Sequence, residues 1–137
     1  MSLNEEERRI MVDHERQKAL QTFAQAELLS KEGYWDGAAN RLYYASFHAV
    51  NALLIKDGYF VHTHHGASSM FRQIYIKTGI LPVQVSELYS VLQSMRDKAD
   101  YNCSFDASQL LIEPLLEPTR QLIDSIFKQI EQPIDDK

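Results

Sequence analysis

Apolar positions recur at helical spacing along almost the whole chain, and no stretch alternates as a half-buried strand would. A first helix is expected from about Asn4 to Lys31, its first half polar and its second half carrying a stripe at Leu20, Phe23, Ala24 and Leu28. Gly33 suits the position just past its end. A second helix should hold Ala38, Ala39, Leu42, Tyr43, Ala45, Phe47, Ala49, Val50, Ala52, Leu53, Leu54 and Ile55, and stop before Asp57-Gly58. A third begins near His64 to Ser68 and closes at Thr78-Gly79, with Met70, Phe71, Ile74 and Tyr75 inward. The fourth runs from about Val83 to Tyr101, with Val85, Leu88, Tyr89, Leu92 and Met95 on one face. Asp106 and Gln109 are spaced as a capping box for the last helix, which should contain Leu110, Leu111, Leu115, Leu122, Ile123, Ile126, Phe127 and Ile130. Pro114 and Pro118 each remove a backbone donor, so a kink or break is expected there. The pattern describes an all-α bundle of four or five helices. It reads as one domain over residues 1–137, with a charged helix start at 1–15 and a loose tail at 132–137.

The second helix is apolar on nearly every face, as a helix in the middle of a bundle is. Arg41, Tyr44, His48 and Asn51 interrupt it. Seven residues make almost two turns, so Arg41 and His48 fall within roughly 20° around the axis and about 10 Å apart along it. Unpaired polar groups cost several kcal/mol to bury, so the stripe is either an internal hydrogen-bond network or a site at an interface. In the first case Arg41 would pair with Asp100 or Asp36, and His48 would bond a carbonyl or a tyrosine.

In the second case the stripe suits a phosphodiester. Arginine offers a planar fork of donors that holds phosphate and stabilises charge building on it. Histidine titrates near neutrality and can move the proton of a ribose 2′-hydroxyl or of a leaving 5′-oxygen. RNA supplies its own nucleophile, so no metal or cofactor is required and the product would be a 2′,3′-cyclic phosphate. One histidine cannot easily perform both transfers at once. A two-fold homodimer that faced two stripes together would supply two arginines and two histidines, which places this helix near the dimer axis.

The 137 residues, 45% hydrophobic and 24% charged, leave room for one core. A net charge of −5 argues against coating nucleic acid with the whole surface, though not against a local basic site. Cys103 is the lone cysteine, excluding an internal disulfide and a multi-thiolate zinc site. The charged start carries no apolar run of the kind a signal peptide or anchor has, and no segment is long enough to span a bilayer, which makes the cytosol the expected compartment.

Asn40-Arg41-x-Tyr43-Tyr44-Ala45-x-Phe47-His48-Ala49 resembles the signature of the HEPN (higher eukaryotes and prokaryotes nucleotide-binding) superfamily. That signature is an arginine followed by four to six residues and a histidine; six stand between them here. The resemblance extends to Thr63-His64-His65-Gly66, to Phe71 with Lys77-Thr78-Gly79, and to Arg96-Asp97-Lys98-Ala99-Asp100-Tyr101, covering roughly residues 15 to 130. It is closest to the small stand-alone prokaryotic branch. It implies an up-and-down bundle, usually a homodimer, and in many members a metal-independent endoribonuclease acting as the toxin of a toxin–antitoxin pair beside a nucleotidyltransferase antitoxin. Arg41 and His48 match the catalytic pair, and Asn40 and Tyr44 match flanking positions that shape the site. The alternative it implies is a catalytically silent module that binds a nucleotide or scaffolds a nucleotidyltransferase. One toxin subgroup carries a tyrosine two residues after the histidine, which its partner modifies; Val50 stands there, which sets this chain apart from that form of neutralisation.

The same resemblance gives Asp100 or Tyr101 a role in orienting Arg41 and adds Arg96 as a phosphate contact. Without it, Arg96 and Asp100 read as a surface ion pair one turn apart. His62, His64 and His65 have the look of a metal cluster but lack a completing cysteine or carboxylate, so a helix-start loop is preferred, with His65 near Gly66 able to contact phosphate. Trp35 is expected to pack the loop between the first two helices, Cys103 to be inert, and Tyr43, Phe47 and Val50 to be core.

Overall fold

The computed structural model describes residues 4–132 and is helical throughout, with no strand among them. Its elements are α1 (Glu5–Lys31), α2 (Trp35–Lys56), α3 (His64–Phe71), α4 (Val83–Tyr101), α5 (Gln109–Ile112) and α6 (Leu116–Glu131). A π-helical turn, Arg72–Ile76, extends α3, and a 3-10 turn, Glu113–Leu115, joins α5 to α6. The tail expected at 132–137 lies outside the described residues beyond Gln132.

α1 starts where a full capping box forms: Asn4 Oδ1 accepts from the Glu7 amide at 2.7 Å, and Glu7 Oε1 accepts from the Asn4 amide at 3.0 Å. Glu5, Glu6 and Glu7 then lie against the positive end of the helix dipole. It ends at Glu32, and Gly33 follows at φ +83°, a conformation that a side chain would strain.

α2 is the axle of the bundle. It packs against α1, α4 and α6, and its buried residues run from Ala38 to Ile55. The buried face of α1 is Val12, Ala19, Thr22, Phe23, Ala26 and Ser30, which corrects the expected stripe: Leu20 and Leu28 are 55% and 61% exposed. The reason is helix spacing. Ala19 and Ala26 meet a partner itself rich in alanine, so the backbones approach closely and leave no room for leucine between them.

Two further expectations are corrected. Ser108, not Asp106, caps α5, accepting from the Leu111 amide, while the Ala107 amide is taken by Asp36 Oδ1 at 3.1 Å. Leu110 is 85% exposed and Leu111 also faces outward, because so short a helix turns only Ile112 inward. The break anticipated at the prolines is the 3-10 turn holding Pro114. Pro118 falls in the first turn of α6, where an amide proton would have no helical partner to lose.

Candidate active site

Antiparallel packing of α1 on α2 sets the polar stripe against α1 residues: Glu15 reaches His48 and Gln25 reaches Arg41. Arg41, Tyr44, His48 and Asn51 are all half-buried, on the rim of the core rather than inside it.

His48 Nδ1 and Glu15 Oε1 are 2.7 Å apart, with the two side chains 22% and 20% exposed. Burial works to raise the Glu15 carboxyl, but the hydrogen bond and charge of His48, a bond with Asn51 and the charge of His14 outweigh it, holding the group below its usual 4.5. At neutral pH Glu15 is therefore an ionised acceptor, and Nδ1 must carry the proton it accepts. Nε2 is left as the nitrogen available for chemistry. The expected carbonyl or tyrosine partner is replaced by a carboxylate.

Arg41 is held by carboxamides. Its Nε and Nη2 donate to Asn40 Oδ1 at 2.9 and 2.6 Å, and its Nη1 donates to Gln25 Oε1 at 3.2 Å. The Tyr44 ring lies 5.5 Å from the guanidinium carbon. Among the described residues no carboxylate touches it directly: Asp100 Oδ2 accepts from Asn40 Nδ2 at 3.0 Å, one group removed, and Asp36 is occupied at the Ala107 amide. Of the guanidinium's five donors three are used among the described residues, so each terminal nitrogen keeps one N–H. The charge is oriented without being neutralised by a direct ion pair.

Arg96 is no surface residue. Only 8% exposed, it lies beneath Tyr43, Tyr44 and Tyr101, with its guanidinium carbon 4.9, 5.4 and 5.9 Å from their rings. Its Nη2 is 3.3 Å from Asp97 and its Nη1 3.9 Å from Asp100, while its buried Nε has no partner among the described residues. Burial opposes its charge, yet Tyr44, Asp97, Tyr43 and Tyr101 hold its pKa above the ordinary value. Asp100 thus joins Asn40 to Arg96. Tyr101 is 77% exposed and accompanies Arg96, not Arg41.

His62 and His65 are exposed, and His65 makes no bond to the stripe among the described residues. Its neighbour His64 turns inward instead. His64 Nδ1 is 2.8 Å from the Tyr43 hydroxyl, and its ring stacks on Phe47 with centroids 4.3 Å apart. Glu15 and Gln25 were not among the sequence candidates, and His64 was placed there only in the loop that starts the third helix. Glu15 had a signal: it shares a helical face with Ala19, Thr22 and Ala26, so a carboxylate there points at whatever α1 packs against. Among the described residues no helix is long and apolar enough to cross a membrane.

A family model described as HEPN domain matches residues 13–130. A protein named UPF0332 protein from Thermotoga maritima is 28% identical over 129 residues, covering 94% of this chain and 96% of its own. A protein of Methanocaldococcus jannaschii named "Putative toxin MJ0142" is 31% identical over 100 residues, covering 73% of this chain and 68% of its own. The family match runs from the first half of α1 to the last turn of α6, most of the chain: the chain belongs to the HEPN family.

Proposed function

We propose that the protein is a metal-independent endoribonuclease whose site is built from Arg41 and His48 and completed across a homodimer. The observation that carries this reading is the pair of unspent groups on one half-buried face: His48 Nε2, freed by Glu15, and the two remaining N–H groups of Arg41. His48 Nε2 takes the proton of a ribose 2′-hydroxyl, and O2′ forms a bond to phosphorus as the bond to O5′ breaks. The partner's His48 returns a proton to O5′. The products are a 2′,3′-cyclic phosphate and a 5′-hydroxyl. Arg41 clamps the phosphate as its charge grows, and Asn40 and Tyr44 fix the guanidinium. Two relatives from Methanocaldococcus jannaschii carry toxin in their names, which supports a toxin role here, in the cytosol and opposed by a nucleotidyltransferase antitoxin.

The test is RNA cleavage in excess chelator by wild type and His48→Ala. Wild type should yield cyclic phosphate ends, and the variant should be slower by roughly 100-fold or more. Equal cleavage removes His48 from the mechanism. In cells, growth arrest on induction should vanish with Arg41→Ala. The net charge of −5 favours a second reading, in which the dimer is silent and holds a nucleotide or a nucleotidyltransferase; RNA binding without cleavage by wild type would select it.

A further inference from the structure

The resting geometry contains a second imidazole that the Arg41/His48 pair does not account for. His64 opens α3 directly after its cap: Thr63 Oγ1 accepts from the Gly66 amide at 2.8 Å. Gly66 has no alternative there, since a Cβ would come within 2.6 Å of Val61 Cγ1 and 2.8 Å of Thr63 Oγ1. The tight loop presses His64 onto Phe47, which also neighbours the His48 ring at 5.7 Å and the rings of Tyr43 and Tyr44. Both imidazoles therefore neighbour one phenyl ring, within one protomer.

The Tyr43 hydroxyl faces one nitrogen of His64, with Oη 2.8 Å from Nδ1. Tyr43 is fully buried, and burial raises its pKa, so it stays a phenol with a proton to donate. With the phenol as donor, Nδ1 is the bare nitrogen and the ring proton lies on Nε2. His64 Nε2 makes no bond among the described residues. Burial, followed by the charges of Arg96 and His48, pushes the His64 pKa down. Arg41 and Arg96 already supply two cations beside this ring, and an uncharged donor adds a hydrogen bond without a third.

We infer that His64 is a binding residue of the same site, donating from Nε2 to a non-bridging oxygen of the scissile phosphate while His48 moves the protons. The assignment rests on the nuclease reading and adds a phosphate ligand to it. Because Tyr43 sets the tautomer, it acts as a positioning residue through His64 and not on the substrate.

Three variants test this: His64→Phe, which keeps the stack on Phe47; His64→Gln, which keeps an N–H near the position of Nε2; and Tyr43→Phe. Melting temperatures establish that each is folded. His64→Phe should lower cleavage roughly 100-fold, the scale of losing one donor to a developing oxyanion, and His64→Gln should recover most of it. Tyr43→Phe should lower cleavage roughly tenfold in wild type and have no effect on top of His64→Gln, whose donor needs no tautomer. Additive losses would mean that Tyr43 and His64 act separately, and would overturn the inference. Affinity for a 2′-O-methyl oligonucleotide, which cannot be cleaved, gives an independent readout, expected to fall about tenfold in His64→Phe and not in His64→Gln. If His48→Ala abolishes cleavage while His64→Phe leaves both cleavage and affinity at wild-type levels, this inference fails and the nuclease reading stands. If wild type cleaves nothing, the nuclease reading fails, and unchanged oligonucleotide affinity in His64→Phe overturns the inference as well.

Discussion

Two side chains on one helix face become useful only through what their neighbours take from them. Glu15 claims Nδ1 of His48 and so leaves Nε2 as its unclaimed nitrogen, while Asn40 and Gln25 claim three donors of Arg41 and, among the described residues, leave its charge without a direct ion pair. Glu15→Gln should therefore damage function and stability together. An amide can present either its oxygen or its nitrogen to Nδ1, so the tautomer is no longer enforced and cleavage should drop roughly tenfold. Its effect on stability depends on pH, with a definite sign. The folded carboxyl titrates below its usual 4.5, so its contribution is complete above that value and disappears as pH falls through the folded value. Wild type should melt about 3–6 °C above the variant at pH 7, for about 1–2 kcal/mol, and the gap should narrow as pH drops below about 4.5. A gap that stays constant as pH falls, down to acid unfolding, would show that the carboxylate contributes nothing through its charge.

At the scale of helices, legibility followed the strength of the local signal. α2 was readable because its apolar residues cover nearly all its faces, and the cores of α3 and α4 were readable because large side chains recur at helical spacing. α1 misled because packing against an alanine-rich neighbour rewards small residues, and the pattern of hydrophobicity alone gives Leu20 more weight than Ala19. The Arg41/His48 pair was legible because both lie on one helix, seven residues apart. Glu15 and Gln25 were not, since which face of α1 meets α2 is a fact of tertiary packing; nor was the choice of His64 over His65, which depends on one turn of loop geometry. That loop yields its own prediction. Gly66→Ala drives a methyl group into Val61 and into the capping hydroxyl of Thr63, which should destabilise the protein by about 1–3 kcal/mol. Thr63→Ala, which removes the cap without the clash, should cost about 1 kcal/mol. Thermal melts of the two variants check the order: were Gly66→Ala as stable as wild type, the contact holding α3 in place would not be tight.

At the scale of the whole molecule, the nuclease reading requires a chain of net charge −5 to attract a polyanion. Attraction would have to be local, with Arg41 as its source: its direct partners are neutral amides, and two protomers facing each other would double the number of such charges along one groove. Such a groove predicts that RNA affinity falls with added salt on a shallow slope, set by the few phosphates it neutralises. It also predicts how defects combine. A groove that needs both histidines, one to take the proton of O2′ and one to return a proton to O5′, makes a dimer with a single His48 inactive. Mixed dimers, formed by unfolding and refolding wild type with His48→Ala, hold both Arg41 side chains and one His48 in the shared groove. Cleavage should then fall with the share of wild-type homodimers, roughly as the square of the wild-type fraction, and isolated mixed dimers should be inactive. If isolated mixed dimers, verified with differently tagged chains, cleave at about half the wild-type rate, each protomer must carry its own complete Arg41/His48 pair. The partner's histidine would then have no place in the proton transfer to O5′.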